Sequence, residues 1–553
     1  MTKYIFCLLT FLSFSNLSSS QPWNSKTHLT HQDTLRGSIT PERKWWDVLY
    51  YDIAIQPSFN TKQLVGQNII TYRVLTSEHS NLMQIDLQKP LNIDSIIFNK
   101  LKKVSFTNKG NVWLVKLPRQ NSLSVNSIAI YYSGNPHEAA MPPWDGGWVW
   151  TTDSLKRPWM TVACQGIGAS IWYPCKDYQG DEPDKGASLT MTVPDSLVAV
   201  ANGRLKYKKQ NNNQTTTYKW AVSNTINNYN ICPYIGKYVN LSTIYKGLTG
   251  DLDLSYWVLD YNYEKAKAHL IPQVNLMMKS FEHWFGAYPF YDDGYKLVDA
   301  PNYGMEHQSG IAYGNGYQNG NHGLDYSGTG WGMKWDFLIV HESAHEWFGN
   351  SITAKDPADK WIQESFACYA DVLYMKDYLG DTVANEYVFG TRKNIHNDEP
   401  IIGPYNVGKE GGSDMYPKGR NMLHIIRQII NNDEKFRQIL IGINKNFYHQ
   451  TITSKQMENY INQKSGSDFS KIFNQYLRTT LIPTLEYKIA NKVLAYRFVD
   501  CNKDFSMPVK VWINKEEWIK PTTEWKRIKV PDNSTLVVDK NFYINIKKTN
   551  VEN

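Results

Sequence analysis

Two histidines four residues apart, His341 and His345, stand in Val340-His341-Glu342-Ser343-Ala344-His345-Glu346-Trp347. Eighteen residues separate the second from Glu364, in Trp361-Ile362-Gln363-Glu364-Ser365-Phe366-Ala367. On a helix, residues four apart project from one face, so the two imidazoles can close on one small cation. Glu342 is rotated off that row, where it addresses a metal-bound water instead of the metal. Glu364 supplies a third, hard oxygen ligand. Two histidines and one carboxylate leave a fourth position open, the arrangement of catalytic zinc; structural zinc is usually closed by four protein ligands. The expectation is one zinc ion per chain.

The flanking residues are those a positioning helix needs. Asp336 is a candidate N-cap; Phe337, Ile339, Val340, Ala344, Trp347 and Phe348 supply apolar faces; Gly349 offers a stop. Upstream, Glu264 to Phe285 has helical spacing and ends at Gly286. Between the two lies Tyr303-Gly304-Met305-Glu306-His307, a short segment with one carboxylate. Downstream, Tyr416-Pro417-Lys418-Gly419 opens a helix over Met422 to Ile430, with proline at a tolerated position. A tyrosine there can aim its hydroxyl into a cleft, but taken alone it reads as packing. The stretch Ala163-Cys164-Gln165-Gly166-Ile167-Gly168 is small and glycine-bearing, and Gln165 within it can donate and accept. By itself that is a loop.

A chain of 553 residues calls for two to four domains, and 19 Trp and 36 Tyr give it ample core material. The net charge of +7 is spread without a basic run, which argues against a nucleic-acid or membrane-surface partner. Residues 1–20 read as a secretory signal peptide: Lys3, an apolar run from Tyr4 to Phe14, then Ser18-Ser19-Ser20. That run is too short for a membrane span. Export to a periplasm or to the medium is therefore expected, with no stable span once the segment is removed. Five cysteines remain, at 164, 175, 232, 368 and 501, too few and odd in number for a disulfide framework; one or two bridges are the most they allow.

Residues 21 to about 40 read as an irregular lead-in. From Trp46 to about 258, period-two runs such as Tyr51-Asp52-Ile53-Ala54-Ile55 alternate with turn clusters, so 21–258 is expected to be β-rich. Helical patterns dominate 259–480, with Ser454 and Ser467 as plausible caps near the end. Strand patterns return in Leu494 to Phe498, Val509 to Ile513 and Leu536 to Val538, which suits a small β-sandwich over 481–553.

Over nearly its whole mature length the chain resembles the gluzincin zinc aminopeptidases, the family of aminopeptidase N and the leukotriene hydrolase/aminopeptidase. His341, His345 and Glu364 match the family's zinc ligands, and Glu342 its general base. Tyr303-Gly304-Met305-Glu306-His307 matches the exopeptidase motif Gly-x-Met-Glu-Asn, with tyrosine for the first glycine and histidine for the asparagine. The resemblance thus implies that Glu306, with Gly304 and Met305, binds a peptide by its free amino end. Tyr416 matches the tyrosine that donates to the oxyanion, and Gln165 the glutamine that lines the first specificity pocket and helps hold the amino terminus. Asp371 stands where family members carry a carboxylate behind the metal ligands, and its place on a helix suggests that it orients a zinc histidine. The implied architecture is α+β and multidomain: an N-terminal β-saddle, a thermolysin-like α-rich catalytic domain and a C-terminal β-sandwich. The implied activity is release of N-terminal residues from peptides by attack of a zinc-bound water.

Overall fold

Apolar alternation in the first third of the chain becomes two long antiparallel strands, Trp46–Ser58 and Gln63–Val74, with Ile53 opposite Asn68. The computed structural model describes residues 29–549; the expected signal peptide lies outside the described residues. The two strands sit inside an eight-stranded sheet, where Trp46–Ser58 also pairs in parallel with Ala187–Pro194. A four-stranded sheet contains Gly147–Thr152 and Pro158–Ala163. Trp45, Trp46, Tyr51, Tyr72, Trp148 and Trp172 are buried in one apolar core beneath these sheets.

The lead-in is not wholly irregular. His31–Gly37 is a short helix, closed by a capping box in which Thr30 and Asp33 satisfy each other's backbone. Arg36 fixes it to the core side, donating to the Ile167 carbonyl and, at 2.8 Å, to that of Gly408.

A five-stranded sheet follows, in the order Tyr238–Gly247, Gly250–Leu259, Tyr295–Asp299, Ile311–Tyr313, Gly304–Met305. The first two strands read from the sequence as the end of the β-rich domain. By pairing and packing they go with the helices, because Leu252, Leu254 and Tyr256 face Leu270, Met277 and Phe281 in one core. That core continues through Tyr263–Phe285, Trp361–Leu379 and Pro417–Ile430 into the C-terminal strands, where Leu485, Leu494, Phe498 and Val511 join it. The C-terminal strands form a four-stranded sheet built on Thr484–Ala490 and Val493–Val499 and a three-stranded sheet built on Val509–Ile513. The architecture is thus β-rich, then α-rich, then β.

Local signals hold with two corrections. Thr453, not Ser454, caps Ser454–Ser465, since its hydroxyl reaches Gln456 N while Gln456 reaches back. Phe469 precedes Ser470–Arg478 without a side-chain cap, and Ser467 N donates to Ser465 Oγ instead. All five described cysteines are free thiols, and four of them are buried. No helix among the described residues is long and apolar enough to cross a membrane.

Candidate metal centre and substrate cleft

The histidine helix is Phe337–Ala344, begun by Asp336, whose carboxylate accepts from Ile339 N at 3.2 Å. It stops five residues before Gly349, because Glu346 N and Trp347 N turn back onto Ser343 and Ala344 in tighter, three-residue steps. His345 keeps helical dihedrals (φ −64°, ψ −20°), so it remains on the face of His341. Trp361–Leu379 lies against this helix and delivers Glu364 from its first turn. Glu364 Oε2 stands 3.7 Å from His341 Nε2 and 3.5 Å from His345 Nε2. Donors about 2.1 Å from a tetrahedral ion are about 3.4 Å apart, so these atoms fit zinc.

Each ring is held from behind, though unequally. His345 Nδ1–H donates to the Phe348 carbonyl at 3.0 Å; a carbonyl only accepts, so the Nε2 lone pair is left for a metal. The His341 ring stacks on Phe337, 4.8 Å between centroids. Asp371 does not orient it by a hydrogen bond. Its Oδ2 is 3.9 Å from His341 Nδ1, beyond hydrogen-bond reach, and accepts from Arg420 Nη2 at 2.9 Å. Cys368 lies in the same group, within 4.8 Å.

Burial pushes the Glu364 carboxyl up, but the imidazoles and Lys360 outweigh it and hold the carboxyl well below the usual range. It is therefore ionised. Lys360 Nζ sits 3.6 Å from Oε1, the oxygen turned away from the histidines, and 3.0 Å from Glu410. Burial pushes Glu342 up to about 7 against the pull of His341 and His345, which suits a base working near neutrality. Gly304 runs directly beside it. A Cβ there would stand 3.1 Å from Glu342 Oε1 and 2.8 Å from Leu338 Cδ2, so glycine permits this close approach of backbone.

Glu306 is buried and accepts from the Tyr229 hydroxyl at 3.2 Å, while its carbonyl accepts from Asn350 Nδ2 at 2.8 Å. The backbone of Glu306 is thereby tied to the turn that ends the histidine helix, and its carboxylate to Tyr229. Tyr229 also lines a solvent-open cleft together with Gln165, Lys360, Gln363, Glu410 and Arg36. Glu306 does not line this cleft itself; the Tyr229 hydroxyl links its carboxylate to the cleft wall. His307 faces elsewhere: its Nδ1–H donates to the Tyr234 hydroxyl at 2.6 Å, which itself donates to the Gly310 carbonyl. Burial pushes His307 down to about 3, so it is a neutral packing residue. The Tyr416 ring is 6.4 Å from that of His341, just before the helix Pro417–Ile430. Burial, then the Glu364 charge, raises its hydroxyl well above the ordinary range, so it stays a proton donor.

Residues 329–476 match the model of the Peptidase family M1 domain. The M1 match spans the histidine helix, Glu364 and Tyr416. Among relatives, Probable aminopeptidase 1 of Sulfurisphaera tokodaii is 25% identical over 188 residues, 32% of this chain and 24% of its own. Leucyl aminopeptidase of Saccharolobus solfataricus is 25% identical over 166 residues, 28% of this chain and 21% of its own. The chain therefore spans about a quarter of the length of these relatives. The M1 zinc metallopeptidase from Deinococcus radiodurans shares the fold, with TM-score 0.64 at 18% identity, covering 78% of this chain and 93% of that one. A mutant of that protein bound to a Tyr-Ser-Ala substrate gives the same TM-score, covering 79% and 95%.

Tyr229, Asn350, Lys360 and Glu410 were absent from the sequence expectations. Each is an ordinary polar residue that the fold brings to the site from a separate segment, and no local pattern marks them.

Proposed function

We propose that this chain is an aminopeptidase that holds one zinc ion on His341, His345 and Glu364 and removes residues from the free amino end of peptides. The observation that carries the reading is the buried carboxylate of Glu306 beside that triad and cleft. Buried anions demand a cationic partner, and a peptide's terminal ammonium supplies one. Gln165 and Tyr229 line the space that the first residue enters. A peptide pinned there places its first peptide bond between Gly304 and the metal triad, one residue from its end.

When bound, zinc supplies Lewis acidity, polarising the carbonyl and making water acidic enough to yield a proton near neutral pH. Glu342 takes that proton on its carboxylate and passes it to the departing amine nitrogen. The scissile C–N bond breaks; water's oxygen goes to the carbonyl carbon, and its hydrogens are divided between the two products. The Tyr416 hydroxyl donates to the oxygen on which charge develops, a contact worth about 3 kcal/mol in comparable sites. Closure of the Lys360–Glu410 pair beside Glu364 keeps the carboxylate turned towards the histidines.

We also propose that residues 1–20 are a signal peptide and that the protein is exported; the N-terminal sequence of the protein recovered from its source would begin at or near Gln21.

The test is hydrolysis of a panel of aminoacyl-anilides by purified residues 21–553, with and without a chelator and beside Glu342→Gln. Chelator-sensitive release that Glu342→Gln lacks is the expected result. A zinc-loaded protein that releases nothing from any substrate would overturn the proposal.

A further inference from the structure

The tyrosine that departs from the exopeptidase motif has a place of its own. Tyr303 directly precedes Gly304–Met305, the terminal strand of the five-stranded sheet. Side chains alternate along a strand. Since the Cβ direction of Gly304 points at Glu342 and Leu338, its neighbours point to the other face. Met305 accordingly packs into the core of the N-terminal sheets. Tyr303 turns the same way but stays out, 46% exposed, against Trp144, which is 38% exposed. Their ring centroids are 4.6 Å apart, and the half-buried His322 ring meets Tyr303 edge-on at 4.2 Å. The loop presenting Trp144 is braced by Asp145, whose Oδ2 accepts from Ala140 N at 2.6 Å and Met141 N at 3.0 Å. Three rings thus form a fixed, solvent-open platform, and large exposed aromatics grouped this way mark binding surfaces.

We propose that this platform receives the side chain of the substrate's second residue, the one just after the cut, and favours an aromatic ring there. The inference rests on the aminopeptidase reading of the site. Along the segment, Glu306 takes the ammonium, Gly304 flanks Glu342 where the bond is broken, and Tyr303 comes next. With the bond to be broken level with Gly304, an extended peptide laid antiparallel on the free strand edge carries its second residue onward to Tyr303, while the Glu306 side chain reaches back to the ammonium. Trp144 and His322 then wall that position from the N-terminal sheets and from the loop before the histidine helix. Offset or edge-on ring pairs reward an aromatic occupant over none by up to about tenfold.

The test compares kcat/KM for alanine release from Ala-Phe-amide and Ala-Gly-amide. The wild-type protein is expected to prefer Ala-Phe-amide by about tenfold. Tyr303→Gly and Trp144→Ser should each bring the ratio to within about twofold of unity, whereas Tyr303→Phe, which keeps the ring, should preserve it. A mere loss of packing would lower both rates together and leave the ratio in place, which would overturn the proposal. Should Tyr303→Gly not fold, Trp144→Ser and Tyr303→Phe still decide, because Trp144 lies on a different segment. Equal wild-type rates on the two amides would refute the platform and leave the aminopeptidase reading standing. Release from neither would refute both.

Discussion

Glu306→Gln isolates the charge on which the exopeptidase reading depends. Glutamine keeps the size of the side chain and an oxygen for the Tyr229 hydroxyl, now 3.2 Å away, so packing around the site is preserved. What is lost is a buried carboxylate facing the substrate's ammonium. Removing one partner of a buried, hydrogen-bonded charge pair costs about 2–5 kcal/mol, which corresponds to a fall in kcat/KM of about 30- to 5,000-fold. The low end applies if Gln165 shares the ammonium. Because Glu306 is not among the three donors around the metal position, zinc content should stay at the wild-type level. The assay is kcat/KM on an alanyl-anilide beside zinc content measured on the same preparation. Less than a threefold loss of kcat/KM would refute the assignment, and so would loss of zinc, since Glu306 would then be acting through the fold.

Three further outcomes follow from the geometry. Lys360→Met removes the buried cation that faces both Glu364 and Glu410, so metal-free protein should lose about 3 kcal/mol in denaturant unfolding, and added zinc should restore part of it; an unchanged midpoint would refute the pairing at 3.6 Å and 3.0 Å. Tyr416→Phe should lower kcat by about 100-fold with KM little changed; a larger change in KM than in kcat would place the hydroxyl on the ground state instead. For His307 the folded form is pushed down to about 3 from an ordinary value of 6.5, so the unfolded chain binds the extra proton first as pH falls. Stability should therefore be full above about pH 6.5 and decline below it, and His307→Phe should make the decline shallower by about 1.4 kcal/mol per pH unit, read from urea unfolding at pH 7, 5.5 and 4.5.

The metal triad was legible because helix periodicity alone places His341 and His345 on one face, and Asp336 marks where that helix starts. Glu364 was legible from its type and spacing. Glu306, Tyr416 and Gln165 were not, since one carboxylate, one tyrosine and one glutamine in loops carry no periodic signal; only the likeness to a family singled them out. The structure connects Glu306 to the cleft that Gln165 lines through Tyr229, a residue from a third segment. Asp371 shows the limit of reasoning by position: a carboxylate in the right place on the helix stands 3.9 Å from the His341 ring and pairs with Arg420 instead. The hairpin from Tyr238 to Leu259 reads as more β-domain by its alternation, yet its parallel partner Tyr295–Asp299 lies beyond a 23-residue helix, a pairing that no local window reveals.

The most direct test of the account is one peptide, Ala-Phe-amide, offered to the zinc-loaded protein with its amino end free and with that end acetylated. An aminopeptidase anchored by Glu306 releases alanine from the free form and leaves the acetylated form intact. Cleavage of both at similar rates would contradict it, and would assign the same zinc triad to an endopeptidase.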